Sequence, residues 1–122
     1  HNDVGKLFKN LAEGKLLNVE SKNLHAACVV LAAPGYPQKP EKDLPISGDI
    51  ESQTDLSYFL HAATKHSTNS SAGKWLTNGG RVMNAVGLGL NAKQAIENSY
   101  AQSCKVQWMG LKKRSDIGES IL

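Results

Sequence analysis

The stretch Thr77-Asn78-Gly79-Gly80-Arg81-Val82-Met83-Asn84-Ala85-Val86-Gly87-Leu88-Gly89 decides how the chain is read. Asn and Gly tolerate positive φ, so Asn78-Gly79-Gly80 is expected to form a short hairpin loop. From Arg81 the residues alternate as a strand does. Val82, Val86, Leu88 and Leu90 are expected on one face, with Asn84 as its one polar member. Arg81 stands where turn becomes strand, and three small or polar residues precede it. Backbone N–H groups can approach a ligand closely there, and exposed amides beside a guanidinium make a phosphate cradle. A surface arginine on an ordinary hairpin has the same pattern, so these residues alone leave both readings open.

Downstream, Gly87-Leu88-Gly89-Leu90-Asn91-Ala92 matches G-x-G-x-x-A between a strand and a helix, the setting of a dinucleotide fingerprint. That fold also needs repeated parallel βαβ units and an acid roughly 20 residues on, where this chain has Met109. The strand before the motif belongs to an antiparallel hairpin, so the glycines are expected to let a helix pack close to the strand. Asn91 caps that helix with Gln94 as partner in a capping-box variant. Its stripe of Ala92, Ala95, Ile96, Ser99 and Tyr100 runs to about residue 104. Val106-Gln107-Trp108 reads as a last strand before the basic cluster Lys112-Lys113-Arg114 and Asp116-Ile117-Gly118.

Upstream, Lys74–Thr77 is a short strand and Ser57–Lys65 a longer one. The Ser, Thr and Asn between them at 66–73 form a loop. Ala26–Ala33 is a short apolar run stopped by Pro34-Gly35, which favours a buried strand although its alanines also suit a helix. All four prolines fall between Pro34 and Pro45, so that segment is a surface loop. Ile46–Ile50 is a turn with short extended flanks. Near the start, Asp3 caps a helix over 4–13 whose Val4, Leu7, Phe8 and Leu11 share a face, and Gly14 ends it. A helix that short is marginal alone, so its apolar face must dock on something. A polar connector, with room for a short strand, follows at Lys15–Leu24. The fold class expected is α+β, a mainly antiparallel curved sheet flanked by two helices.

The 122 residues allow one domain and are too few for two. A net charge of +3, spread along the chain, falls short of a nucleic-acid-binding composition, and no apolar run approaches a membrane span. The opening His1-Asn2-Asp3 has no basic region followed by an apolar one, so no secretion signal is expected there, and it lacks an initiating Met. Cys28 and Cys104 are expected as reduced, packed thiols, which suits a cytoplasmic protein. His25 with Cys28, and His61 with His66, lack the further ligands a zinc site needs. There is no G-x-S-x-G elbow or P-loop, and Asp43, Asp49, Glu51 and Asp55 do not pair as catalytic carboxylates. Nothing reads as self-sufficient reaction machinery. The cations are the better lead: Lys65 ends one strand, Arg81 begins another, and Arg114 lies near the C-terminus. A plain meander would hold Lys65 and Arg81 at opposite ends of the 74–77 strand, roughly 13 Å apart; a bulge within 66–80 could bring them together.

Six pieces in order resemble one family. They are Val29–Ala33 with Gly35-Tyr36-Pro37, Ile46–Gly48, His61-Ala62-Ala63-Thr64-Lys65, Thr77–Val82, the helix from Ala92 to Tyr100, and Arg114-Ser115-Asp116-Ile117-Gly118. Together they resemble the C-terminal domain of the phosphoribosylamine–glycine ligases (glycinamide ribonucleotide synthetases), ATP-grasp enzymes of purine biosynthesis. The chain departs from that pattern at Ala33, Pro34 and Ala63, where the family usually has Gly. The resemblance implies a half-barrel domain like the barrel-sandwich hybrid of related ligases. Residues 1–22 would be the linker helix from the ATP-grasp core and 23–122 the substrate-side domain. The implied reaction joins glycine to 5-phosphoribosylamine with ATP and Mg²⁺ (or Mn²⁺), both bound mainly by domains other than this one. This domain would close one side of the active site, partner the N-terminal and ATP-grasp domains, and be inactive alone. Carried over residue by residue, the phosphoribosyl phosphate falls to Lys65 and Arg81. Asn78, Gly79 and Gly80 shape the turn, and Arg114 is a further candidate that Asp116 braces. No catalytic residue, metal ligand, nucleic acid or membrane partner is expected of this chain. The rival readings are a non-catalytic interaction module binding RNA through Lys112–Arg114, and the equivalent domain of a sister ATP-grasp ligase. Tyr36, Trp75 and Trp108 do not interleave with the basic residues as an RNA surface requires, and the Asn-Gly-Gly-Arg turn argues against the sister enzyme.

Overall fold

The computed structural model describes residues 3–15, 19, 21–68 and 74–121. Parts of the 15–24 connector and of the 66–73 loop therefore lie outside the described residues. The elements run α1 (Val4–Ala12), β1 (His25–Ala32), β2 (Pro45–Gly48), β3 (Ser57–His61), β4 (Thr64–His66), β5 (Trp75–Thr77), β6 (Arg81–Gly89), α2 (Ala92–Ser103) and β7 (Val106–Gln107). A 3₁₀ turn closes the chain at Glu119–Ile121. The fold is α+β, as expected. It carries two sheets rather than one: β1-β6-β3 and β4-β5-β2-β7, with every strand pairing antiparallel.

Both helix starts follow from their caps. Asp3 Oδ1 accepts from the Lys6 amide at 3.1 Å. Asn91 Oδ1 accepts from the Gln94 amide at 2.9 Å, and Gln94 Oε1 reaches back to the Leu90 amide at 2.8 Å. Gly14 ends the first helical segment at φ +71°. Helix α1 buries no residue, and Val4, Phe8 and Leu11 on its apolar face are all exposed.

The central strand β6 is buried along most of its length. Helix α2 lies so close on one face that a Cβ at Gly87 would sit 2.2 Å from the Ser99 amide nitrogen and 2.3 Å from the Ala95 carbonyl oxygen. The fingerprint-like glycines thus serve helix–strand packing. Ser99 Oγ donates to the Ala85 carbonyl at 2.9 Å, and Asn98 Nδ2 to the Leu88 carbonyl at 2.7 Å, tying helix to strand. Gln102, fully buried, accepts from Ser57 Oγ at 3.0 Å and donates to the Ser52 carbonyl at 2.7 Å. Every polar end at this interface that reaches inward is therefore matched, as burial demands. The main core joins both sheets through Val29, Leu31, Ala33, Ile46, Val82, Met83, Val106 and Trp108.

Further expectations are corrected. Leu90 lies beyond β6 and is exposed, so it does not extend the apolar face of that strand. Cys28 and Cys104 are free, as expected, but both are exposed rather than packed. The third correction shapes the site: Asn78-Gly79-Gly80 is not a hairpin loop, because β5 and β6 do not pair. Residues 57–66 and 75–89 instead form one long bent ribbon. Its outer half pairs Ser57–His61 with Gly87–Met83, and its inner half pairs Thr64–His66 with Thr77–Trp75. At the bend the Ala63 amide donates to the Arg81 carbonyl at 3.0 Å, while the Asn78 amide donates to the Ala63 carbonyl at 2.8 Å. Residues 78–80 thus stand opposite a single residue, a wide bulge that swings the ribbon from one sheet into the other. The same bend divides the single strand expected at 57–65 into β3 and β4.

Candidate anion site

The bulge is held on three sides. Ala63 takes hydrogen bonds on both flanks, and the Ala33 amide donates to the Gly80 carbonyl at 2.9 Å. The Tyr36 ring packs on Gly80 so closely that a Cβ there would lie 2.2 Å from its Cδ2. A Cβ at Gly79 would lie 2.8 Å from the Ala63 methyl. A Cβ at either position would have to displace its neighbouring side chain. The amides of Gly79 and Gly80 donate to no acceptor among the described residues.

Beside the bulge opens a cavity of about 600 Å³ lined by Tyr36, Pro37, Pro40, Ala62, Ala63, Gly80, Arg81 and Asn84. The proline loop supplies one wall, the ribbon's bend another, and the start of β6 the third. Arg81 is exposed, and its guanidinium makes no ion pair or hydrogen bond among the described residues. It is an unpaired, permanently charged fork at the rim of a concave surface, the arrangement that takes an oxyanion in bidentate fashion.

The structure brings only part of the expected set together. Gly80 and Arg81 line the cavity. Asn78 is exposed on the bulge, and Gly79 packs on the cavity wall at Ala63. Lys65 does not line the cavity: its ammonium pairs with Asp43, which the backbone presents at φ +65°. Arg114 is also committed elsewhere. Its Nε and Nη2 donate to Asp116 at 2.7 and 2.5 Å. Those bonds push the arginine further toward its charged form and hold the Asp116 carboxyl below the usual range. Asp116 therefore braces Arg114, as expected of it. Tyr100 fixes the segment by donating to the Arg114 carbonyl and accepting from the Ile117 amide, both at 3.0 Å.

Sequence reasoning missed five cavity residues, Pro37, Pro40, Ala62, Ala63 and Asn84, as wall residues, and Tyr36 as the ring over Gly80. For Asn84 there was a signal, since it is the one polar residue on an otherwise apolar strand face. For the prolines there was none, because a loop's path across a strand end leaves no periodic trace. Among the described residues no three His, Cys, Asp or Glu side chains come together in a way that could hold a metal ion. No helix among them is long and apolar enough to cross a membrane.

The sequence is similar to known proteins over most of its length. The family model described as phosphoribosylglycinamide synthetase, C domain, matches residues 26–120. The phosphoribosylamine–glycine ligase of Neisseria meningitidis serogroup A is 36% identical over 124 residues, covering 100% of this chain and 28% of the relative. The bifunctional purine biosynthetic protein purD of Dictyostelium discoideum is 34% identical, covering 98% of this chain and 15% of that protein. The crystal structure of the phosphoribosylamine–glycine ligase of Thermotoga maritima superposes with a TM-score of 0.63 at 35% identity, over 75% of this chain and 21% of that one. The chain thus spans between 15% and 28% of the length of these two curated relatives. With the match running from the first core strand to the closing 3₁₀ turn, this chain belongs to the phosphoribosylglycinamide synthetase C-domain family.

Proposed function

We propose that this chain works as the C-terminal, substrate-side domain of a phosphoribosylamine–glycine ligase in purine biosynthesis. It closes one side of the active site and holds the 5-phosphate of phosphoribosylamine. Residues 1–22 serve as the linker from the ATP-grasp core, and 23–122 form the domain proper. ATP and Mg²⁺ belong to domains outside this chain, and the chain alone turns over no substrate. Its own contribution is binding and orientation: a fixed cation and two free amides that position the sugar phosphate while the carbon–nitrogen bond forms elsewhere.

The observation that carries the reading is Arg81, unpaired at the rim of the cavity beside the free amides of Gly79 and Gly80. Lys65 and Arg114 each hold a carboxylate already, so Arg81 is the principal phosphate ligand and those two are secondary. Losing a charge-assisted contact of this type costs about 1.5–3 kcal/mol. In the full-length ligase, Arg81→Ala should therefore raise KM for phosphoribosylamine about 10- to 100-fold. The KM for glycine should stay within about twofold, since a glycine site elsewhere loses none of that contact energy. Equal rises in both constants would show that Arg81 supports the fold or domain closure rather than the phosphate.

A further inference from the structure

Val82, Asn84, Val86 and Leu88 alternate onto one face of β6, and of these only Asn84 has a side chain that both donates and accepts hydrogen bonds. Its partners across the sheet are Val30 on β1 and Leu60 on β3, and neither offers it a hydrogen bond. The carboxamide is half-buried, lines the cavity, and has no hydrogen-bond partner among the described residues. Val82 and Val86 flank it along the strand, so an apolar residue would suit the position on packing grounds. The polar side chain thus faces the same space as Arg81, three residues along the strand and about 10 Å away at the backbone. The arginine side chain reaches across part of that gap.

From this juxtaposition, and resting on the phosphate reading of Arg81, we infer that Asn84 is a specificity residue that reads a hydroxyl of the pentose whose phosphate Arg81 holds. A carboxamide donates through Nδ2 and accepts through Oδ1, which matches a vicinal diol that itself donates and accepts. An analogue lacking the hydroxyl would leave the half-buried amide unpaired. Sites built on such hydrogen bonds discriminate through that penalty.

The test uses the full-length ligase with three competitive probes: ribose 5-phosphate, 2-deoxyribose 5-phosphate and 3-deoxyribose 5-phosphate. The wild type should bind ribose 5-phosphate about 10-fold more tightly than at least one deoxy analogue. Asn84→Ala should weaken ribose 5-phosphate alone and bring that ratio to about one, since neither sugar then meets a partner. Asn84→Thr, which keeps a hydroxyl on a residue suited to a strand, should restore part of the ratio. Arg81→Ala should weaken all three probes by the same factor and leave the ratio intact. A wild type without preference, or an Asn84→Ala enzyme that keeps it, overturns the assignment of Asn84 while the phosphate site stands. Unchanged binding of all three probes in Arg81→Ala overturns the phosphate site itself. Melting temperatures of both Asn84 variants, matched to the wild type, separate loss of recognition from loss of fold.

Discussion

The two faces of β6 are built on opposite terms. One face meets α2 through Ala85, Gly87 and Gly89, with Ser99 and Asn98 bonded to the strand's own carbonyls. Side chains there are as small as chemistry allows, because the helix backbone needs the room. The other face is closed at Val82 and Val86 but open around Asn84. Val30 and Leu60 stand 38% and 51% exposed on either side of Asn84, and the cavity with Arg81 opens at one end. The first face leaves no room for a side chain at Gly87 or Gly89. The second leaves apolar area in water and a cation free to meet a ligand.

The sharpest way to break this contrast is to add one methyl group to the helix-covered face and one to the bulge at the other end of the strand. At Gly87 the added Cβ meets helix backbone at 2.2 Å, and backbone in a helix cannot step aside alone. Gly87→Ala should cost about 3 kcal/mol, at the upper end for overpacking, and lower the melting temperature on the order of 10 °C. At Gly80 the added Cβ meets the Tyr36 ring, equally close but on a side chain that is 40% exposed rather than on backbone. Gly80→Ala should cost under about 1 kcal/mol while displacing the cavity wall. Thermal melts of the two variants side by side check this. Equal losses would mean the bulge is part of the folding core rather than an adjustable rim.

A smaller effect tests whether the open face is open in solution. Leu60 is half-exposed, so Leu60→Thr should cost about 0.5–1 kcal/mol, part of a full leucine burial, with the β-branched side chain keeping strand preference. A loss near that of Gly87→Ala would show that something covers the face, and α1 with its exposed Val4, Phe8 and Leu11 would be the first suspect. Melting at several protein concentrations would then tell a folded-back helix from a second copy.

Much of this contrast was legible in the residues. Asp3 and Asn91 announced both helices, since a cap acts through its immediate neighbours and leaves a local mark. Gly87 and Gly89 announced close helix packing once the parallel fold had been set aside. The division into two sheets was not legible. Asn78-Gly79-Gly80 carries the same chemistry whether it turns a hairpin or forms a bulge, and only the long-range pairing with Ala63 decides which. The site suffered for the same reason. Sequence supplied Arg81 and its glycines but could not say that Asp43 takes Lys65, because that pairing rests on one left-handed residue in a proline-rich loop. Likewise the resemblance supplied Lys65 and Arg114 as cations without showing that each already had a carboxylate.

The smallest effect belongs to the seam between the sheets, where His61 ends β3 and His66 ends β4. Their rings lie 4.4 and 4.0 Å from the Trp75 ring, and His61 Nδ1 is 2.9 Å from Thr64 Oγ1. Two forces oppose each other here. Partial burial, and secondarily the charge on His66, push the His61 pKa below its ordinary value of 6.5. Attraction of an imidazolium to the indole face would push it up. The rings are tilted by 42°, so His61 does not stack flat on the indole. With the folded value depressed, both states are neutral well above pH 6.5 and His61 leaves stability unchanged there. As pH falls through 6.5 the unfolded chain takes up a proton first, so stability declines until the folded value is passed and then levels off. The ring is exposed enough for solvent to screen most of this, so the signature is a gentle slope. Urea melts between about pH 7.5 and 5, followed by Trp75 fluorescence, should show that slope in the wild type and a shallower one in His61→Gln. A steeper slope in the variant would mean that the imidazolium gains more from the indole than it loses to His66. The seam would then be held together by the charge rather than strained by it.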